Sequence, residues 1–320
     1  MGNATTCVVV LNYGHWQATC QCLDALWAMD RTPEVVVVCD NASPDDSVKR
    51  IRDHIDTHHP PSGVTFKLIE NPENKGYAAG NNPGVRFGLD RGCDFIWILN
   101  NDACPDATAL SALLKCQESG IDAGIVGSTL VYADASGIVQ SAGGCRYNSW
   151  TTMFSANHAG RHVDEVHDLP CVALDYVSGA SMFCSREVFE DVGLLSEEFF
   201  LFYEELDLCC RARKAGYSLA WCRDAVVFHE GALSIGKPGQ DKDRTAIANY
   251  HENLSTLIYT KKHHPWRLPV SMSVRFLGKL CVIMKTRQWY LLNPLSRAFL
   301  DFATGRRYSR SMDTTRKPFP

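Results

Sequence analysis

Four apolar runs rich in β-branched residues punctuate the first hundred positions: CVVVL at 7–11, VVVVC at 35–39, VTFKLI at 64–69 and FIWIL at 95–99. Stretches with helical patterning lie between and after them, at about 16–29, 44–58, 78–91 and 106–118. A continuous apolar run of about five residues suits a strand covered on both faces. Helices between such runs are the crossovers that parallel strands require. The pattern predicts an α/β fold built on a doubly wound, mostly parallel sheet.

Beyond residue 120 the pattern changes. Strands are expected at 124–132 and 173–184, with a Gly- and His-rich irregular stretch between them. A short helix at 187–191 and a longer one at 203–215 follow, the second stopped by Gly216 in the position of a helix C-cap. Short strands are expected at 217–221 and 225–228. From about 266 the chain is basic and interrupted by Pro269 and Pro294, which predicts two or three helices outside the α/β core. The expected division is a catalytic body at 1–235, split near 120 into two halves, and a helical, basic appendage at 236–320. No repeat or low-complexity segment interrupts this plan.

Composition narrows the class. The chain has 320 residues, 45% apolar and 21% charged, as a folded globule does. Such a length can bury a core without help from disulfides or metals, so disorder, collagen-like repeats and a small disulfide scaffold are excluded. The net charge of −4 hides an asymmetry: residues 261–320 hold 13 of the 32 Lys and Arg and only Asp301 and Asp313 as acids. The body is therefore acidic, which argues against nucleic acid as its partner, and the basic tail predicts an anionic one. The 14 cysteines include one adjacent pair, Cys209 and Cys210, and one C-x-C, Cys20 and Cys22, but no C-x-x-C. Several lie inside apolar runs, so reduced thiols and a cytoplasmic location are expected. The N-terminus has no signal-peptide pattern, and no apolar run approaches the ~18 residues of a membrane span.

Polar residues gather where the predicted strands end. Asn12 follows the first, Asp40 and Asn41 the second, Asn71 the third, and Asn100, Asn101 and Asp102 the fourth. One Asp after a strand is ordinarily a helix cap. Four polar ends on one sheet edge describe a cleft for a polar, phosphorylated ligand, because open α/β sheets bind ligands beyond their carboxyl ends. Within the stretch after the third strand, Lys75 offers a cation, Gly76 a residue able to take positive φ, and Gly80 room for a ligand to approach. No P-loop or G-x-G-x-x-G is present, which disfavours an ordinary ATPase or a nicotinamide enzyme.

Six segments in order carry a resemblance: VVVCDNASPDDS (36–47), NPENKGYAAGNN (71–82), WILNNDACPD (97–106), DYVSGASMFCSREVFEDVG (175–193), FFLFYEELDLCCRARKAGY (199–217) and VVFHEGALS (226–234). Together they resemble the inverting family-2 glycosyltransferases with the GT-A fold, and within them the bacterial rhamnosyltransferase-like branch. The resemblance implies that Asp40 accepts the N3–H of uracil or thymine. It implies that Asn12, Asn41, Lys75, Gly76, Asn81 and Asn101 line the nucleotide sugar. Asp102 takes the place of the metal-binding Asp, with Asn100 where a second carboxylate often stands, so weaker metal affinity is expected. Mn²⁺ or Mg²⁺ would bridge Asp102 to the donor diphosphate, with His229 as second ligand. Glu205 falls where the family places a catalytic Asp, with Glu204 as the alternative base. Gly179, Ala180 and Glu204 are expected beside the acceptor. Asp207 and Arg211, four apart on one helix, read as an intrahelical ion pair.

The implied reaction takes a sugar, L-rhamnose foremost, from a dTDP- or UDP-linked donor to a saccharide or polyprenyl-diphosphate-saccharide. The basic tail, with Trp266, Trp289 and Tyr290 among its cations, would then lie peripherally on an anionic membrane, at the inner face of the plasma membrane. Two other readings compete. A nucleotidyltransferase is disfavoured because LNYGHWQAT, after the first strand, carries one Gly and no Lys or Arg. A non-catalytic relative that only binds sugar nucleotides is kept open by Glu205, which differs from the family's Asp.

Overall fold

The computed structural model describes residues 4–118, 123–231 and 241–305. In chain order the first half runs β1 (Thr6–Asn12), α1 (Trp16–Trp27), β2 (Val35–Asp40), α2 (Ser47–Thr57), β3 (Thr65–Glu70), α3 (Tyr77–Asp90) and β4 (Phe95–Asn100). There follow β5 (Ala103–Pro105), α4 (Ala109–Glu118), β6 (Ala123–Tyr132), β7 (Val139–Ala142), β8 (Gly144–Asn148) and β9 (Met153–Ala156). The chain continues through β10 (Tyr176–Val177), β11 (Ser181–Ser185), α5 (Arg186–Val192), α6 (Glu204–Lys214) and β12 (Ser218–His229). Three helices close it: α7 (Lys242–His263), α8 (Leu268–Thr286) and α9 (Leu292–Thr304).

The main sheet has the order β3-β2-β1-β4-β11-β6-β12-β5, with β7 added beside β6. The first four of these strands are parallel, as expected, and β11 enters antiparallel between β4 and β6. Alternate residues of each strand serve the two faces. Val8, Val10, Val36 and Val38 pack under α1, α2 and α4, whereas Cys7, Val9, Val35 and Val37 pack under α3, α5 and α6. α3 sits so close to the sheet that Gly80 and Gly84 leave no room for a Cβ: it would stand 2.6 Å from Leu11 and from Val9. Gly80 therefore admits a neighbouring side chain rather than a ligand, which corrects the sequence expectation.

Three expectations change in detail. The strand expected at 173–184 is two short ones, β10 in a separate sheet of order β10-β8-β9 and β11 in the main one. Ser178, Gly179 and Ala180 break them apart. The two strands expected at 217–228 are one, β12, whose residues 223–225 bulge out of register between Cys222, paired with Ser128, and Val226, paired with Thr129. The 22-residue α7 falls within the expected helical appendage, but the sequence pattern predicts the helices of that region only from about 266. It is buried around most of its circumference, and polar Asn249, Asn253, Ser255, Thr256 and Thr260 are buried with it. A helix enclosed on all sides has no apolar stripe to read.

α7 holds the segment before α6 by side-chain bonds. Ser255 Oγ donates to Leu201 O at 2.9 Å, and Thr256 Oγ1 to the Tyr203 hydroxyl at 2.8 Å. α8 is tied to it through Arg275, which is buried, ion-paired to Glu252 at 2.8 Å and bonded to Asn253 Oδ1 at 2.8 Å. Part of the basic tail lies outside the described residues, including Arg306, Arg307, Arg310, Arg316 and Lys317.

Candidate active site

The carboxyl ends of β1, β2 and β4 converge as the polar pattern predicts. Asn12 Nδ2 donates to Asp40 Oδ2 at 2.7 Å, and Asn12 Oδ1 accepts from Thr19 Oγ1 at 2.7 Å. Asp40 also accepts from Ser43 N at 2.9 Å and Ser43 Oγ at 2.6 Å. Its Oδ1 thus receives one bond and keeps acceptor capacity. Asn101 turns beneath α1, donating to Thr19 Oγ1 at 3.1 Å. It braces the strand ends beside Asp102 instead of facing outward.

Asp102 precedes β5 and His229 ends β12. The antiparallel pairing of these strands puts His229 opposite Ala103 and brings His229 Nε2 within 3.1 Å of Asp102 Oδ1. Gln140 on β7 orients the ring. Its Nε2 donates to the His229 carbonyl, so its Oε1 faces His229 Nδ1 at 2.9 Å and takes the proton there. In a neutral ring this network leaves the Nε2 lone pair on the side of Asp102, and Asn100 Nδ2 also approaches Nε2 at 3.4 Å. A lone pair facing a carboxylate at that distance is repulsive unless a cation or proton lies between them. One carboxylate and one imidazole, both largely buried, suit Mn²⁺ or Mg²⁺ completed by phosphate oxygens. Among the described residues no group of three or more His, Cys, Asp or Glu could hold a metal alone.

Opposite this pair stands the start of α6. Phe202 and Tyr203 both take positive φ, 65° and 74°, a strained approach for two bulky residues. The strain is sustained by burial of Tyr203 among Tyr147, Phe154 and Tyr259 and by its bond from Thr256. It presents Glu204 and Glu205 at the first turn. One oxygen of each, Oε2, is buried with no hydrogen-bond partner. Burial pushes the Glu205 carboxyl up to about 7, and pushes Glu204 well above the usual range, with repulsion from Glu205 adding to it. Glu204 is 4% exposed and turned inward. Glu205 is half-buried and lies along Gly179, where an added Cβ would stand 3.8 Å from the Glu205 Cβ. Ala180 is buried, its carbonyl accepting from Asn100 N at 3.1 Å.

Tyr77, which the sequence did not single out, joins the two sides. Its hydroxyl donates to Gly179 O at 2.8 Å and lies 3.2 Å from Asn100 Oδ1. Contacts therefore run from His229 through Asn100, Tyr77 and Gly179 to Glu205. In the aromatic run that leads into α6, Phe199 and Tyr203 are core residues, and Phe200 stacks on His251 at 4.4 Å.

Other expected residues serve the frame. Asn41 Nδ2 bonds Asn74 Oδ1 at 2.9 Å and Gly76 O at 3.2 Å, joining the loops after β2 and β3. Gly76 has φ 98° and lies so near Phe200 that a Cβ would be 2.1 Å from its carbonyl oxygen. Asn81 donates to Tyr77 O at 3.0 Å. Lys75 stands apart: it pairs with Glu73 at 2.7 Å and lines a cavity of about 280 Å³ against α7, which Asp40, Asp102, Glu205 and His229 do not line.

Two groups were missed. Arg244 of α7 reaches His15, with Nη1 3.2 Å from His15 Nε2. Burial and then Arg244 lower the His15 pKa, opposed by Asp45, Asp102 and Glu230, so these charges share one corner of the cleft. Asp207, fully buried, pairs with Arg211 at 2.7 Å as expected, and also with Lys262 at 2.9 Å and His263 at 2.7 Å. Burial alone would raise its pKa, but His263, Lys262 and Arg211 hold it at about 2.

The profile described as glycosyl transferase family 2 matches residues 7–193, ending ahead of Glu205 and His229. A low-salt glycan biosynthesis hexosyltransferase of Haloferax volcanii, Agl10, is 27% identical over 194 residues, 60% of this chain and 58% of that protein. The N-acetylglucosaminyl-diphospho-decaprenol L-rhamnosyltransferase of Mycobacterium tuberculosis is 28% identical over 130 residues, 40% of this chain and 38% of its own length. The alignments thus span less than two thirds of either relative. A mannosyltransferase of Pyrobaculum calidifontis, solved with GDP-Man and Mn²⁺, shares the GT-A fold with TM-score 0.55 at 16% identity, over 96% of this chain and 89% of that one. With more than half of its length matched by the family profile, this chain belongs to glycosyl transferase family 2.

Proposed function

We propose that this protein is an inverting glycosyltransferase that moves a hexose from a nucleotide-diphospho sugar to a saccharide or lipid-linked saccharide, with L-rhamnose from dTDP-L-rhamnose as the foremost donor. The observation that carries this reading is Glu205. It is a half-buried carboxylate with its pKa near 7, facing Gly179 and linked through Tyr77 and Asn100 to the Asp102–His229 pair. A base working near neutral pH needs such a pKa.

The acceptor hydroxyl passes its proton to Glu205 as its oxygen bonds to the anomeric carbon. The bond from that carbon to the diphosphate breaks on the opposite face, and the configuration inverts. Asp102 and His229 would hold Mn²⁺ or Mg²⁺, whose charge offsets that of the leaving diphosphate. Arg244, beside His15, adds a positive charge at the same corner. Asp40 reads the base of uracil or thymine. Gly179 and Ala180 leave room for a sugar ring, and Glu204 supports the acceptor side.

In this reading residues 1–120 hold the donor and 121–235 the acceptor, while the segment from 236 lends Arg244. The rhamnosyl choice is supported by the mycobacterial relative, whose name pairs an L-rhamnosyl donor with a polyprenyl-diphosphate acceptor. A membrane-surface location suits such an acceptor. Val270, Val274, Leu277, Cys281 and Met284 form an exposed stripe along α8, between exposed Trp266 and Trp289. Lys285 and Arg287 are exposed at its end. Among the described residues no helix is long and apolar enough to cross a membrane.

The test is acceptor-dependent release of nucleoside diphosphate from dTDP-L-rhamnose and from UDP-hexoses with Mn²⁺, using an N-acetylglucosaminyl-diphospho-polyprenol. The anomeric configuration of the product is read by NMR. Binding of these donors without turnover on any acceptor would favour a non-catalytic binder.

A further inference from the structure

Away from the cleft, the far end of α6 carries an arrangement that the proposed transfer does not use. Cys210 Sγ lies 3.4 Å from His263 Nδ1, and His263 Nε2 lies 2.7 Å from Asp207 Oδ1. A thiol, an imidazole and a carboxylate are thus in line, with the imidazole able to accept a proton on one side while the carboxylate steadies it on the other. Asp207 and Cys210 come from α6 and His263 from the last turn of α7, 53 positions beyond the cysteine. Their meeting is a product of the α6–α7 packing.

The surroundings favour the thiolate. Burial raises the Cys210 pKa, but His263, the Tyr259 hydroxyl and the Lys214 ammonium outweigh it and hold the thiol below its ordinary value. Lys214 Nζ lies 3.1 Å from His263 Nδ1. Asp207 remains ionised against Arg211, Lys262 and His263, and it raises the His263 pKa against the opposite pull of burial. Cys210 is partly exposed, whereas adjacent Cys209 is fully buried and its pKa is pushed up to about 12. Low pKa together with access is what distinguishes a reactive cysteine from a structural one.

We propose that Cys210 is a nucleophilic thiol that undergoes exchange with low-molecular-weight disulfides of the glutathione class. Cys210 gives its proton to His263, and the thiolate attacks one sulfur of the disulfide. A Cys210 Sγ–S bond forms as the original S–S bond breaks, the electron pair leaves on the second sulfur, and the proton returns to that departing thiolate. The adduct stands five residues from Glu205 on the same helix, at the sulfur that His263 faces.

The experiment uses the full chain with oxidised glutathione at pH 7 and peptide-resolved mass spectrometry. Cys281, exposed on α8, is the internal reference. Mixed disulfide should form at Cys210 at least ~10-fold faster than at Cys281, as a thiol held below its ordinary pKa beside an imidazole base implies. Iodoacetamide labelling of Cys210 should turn on at lower pH than that of Cys281. Cys210→Ser should remove the fast adduct, which assigns it against Cys209 on the same peptide, and His263→Asn should slow it toward the Cys281 rate. Equal rates at the two cysteines, a shared pH profile, or a fast adduct that survives Cys210→Ser would overturn the proposal. The pH profile of the unaltered protein decides the matter if His263→Asn does not fold. None of these readouts depends on sugar transfer.

Discussion

Asp102 Oδ1 and His229 Nε2 meet at 3.1 Å although 127 positions separate them, because β5 and β12 pair side by side immediately next to both. Each strand delivers one acceptor to the same point, and Gln140 keeps the imidazole proton on the far nitrogen. Two acceptors turned on one point suit a cation or a proton between them.

Direct Mn²⁺ binding, followed by electron paramagnetic resonance in the presence of dTDP or UDP, should be lost in Asp102→Ala and strongly weakened in His229→Ala. Gln140→Leu frees the ring and should weaken Mn²⁺ by about 10–100-fold, the usual effect of removing a partner that orients a metal-binding histidine. Chelator should abolish turnover and Mn²⁺ or Mg²⁺ restore it. Full activity in chelator would remove the metal from the mechanism.

Glu205→Gln should cut kcat by about 10²–10⁴ with donor binding nearly unchanged, the loss of a positioned base. With the carboxyl near 7, turnover should rise as pH passes through that value. Stability carries the opposite sign. A carboxyl whose pKa is higher in the folded state costs nothing below about 4.5, where both states hold the proton, and destabilises increasingly between 4.5 and about 7. Glu205→Gln should therefore raise Tm more at pH 8 than at pH 5. If Glu204→Gln is the inactive variant and Glu205→Gln turns over normally, the two roles are exchanged.

Asp207 shows the reverse linkage. Its folded pKa of about 2 lies below the ordinary 3.8, so the stability it adds is complete above 3.8 and is lost as pH falls toward 2. Asp207→Asn leaves Arg211, Lys262 and His263 clustered without their counter-charge and should destabilise by about 3–5 kcal/mol, the scale for breaking a buried ion pair. Urea unfolding at pH 7 and pH 3 measures both effects, and equal loss at the two values would contradict this assignment.

Asp40→Ala should weaken dTDP and UDP binding by about 1.5–3 kcal/mol, the scale of a hydrogen bond to a charged group. On the proposed reading, in which Arg244 adds its charge to the diphosphate end of the donor, Arg244→Ala should weaken the nucleoside diphosphates much more than the free nucleosides. Titration calorimetry separates these effects, and unchanged affinity in Asp40→Ala would reduce that carboxylate to a brace for Asn12 and Ser43.

Replacing Leu277 by Glu in the centre of the α8 stripe should remove binding to anionic liposomes without changing turnover of a water-soluble acceptor. Co-sedimentation reads this directly. The effect is bounded because Lys262, Arg275, Lys279 and Arg297 are already paired to acids of the protein, leaving fewer cations to face lipid. Equal sedimentation of the original and altered chains would place any lipid contact elsewhere.

The parallel strands were legible in the sequence because VVVL, VVVVC and FIWIL are local, uninterrupted apolar runs, and burial on both faces leaves no other use for them. The polar residues that follow them were legible as a cleft for the same reason, since a strand's end is set by its own residues. The Asp207–Arg211 pair was legible from helical spacing alone. Side chains that depend on distant partners were not. Whether Lys75 faces the nucleotide or the cavity against α7, whether Gly80 admits a ligand or Leu11, and whether 217–228 is one strand or two all turn on what packs there. The enclosed, polar-rich α7 left no periodic trace, and with it went Arg244 beside His15 and His263 beside Cys210. Local chain chemistry determined the sheet and its polar edge. Only tertiary packing could decide which residues face one another across it, because those contacts are set by strand pairing and helix docking between positions tens to hundreds of residues apart.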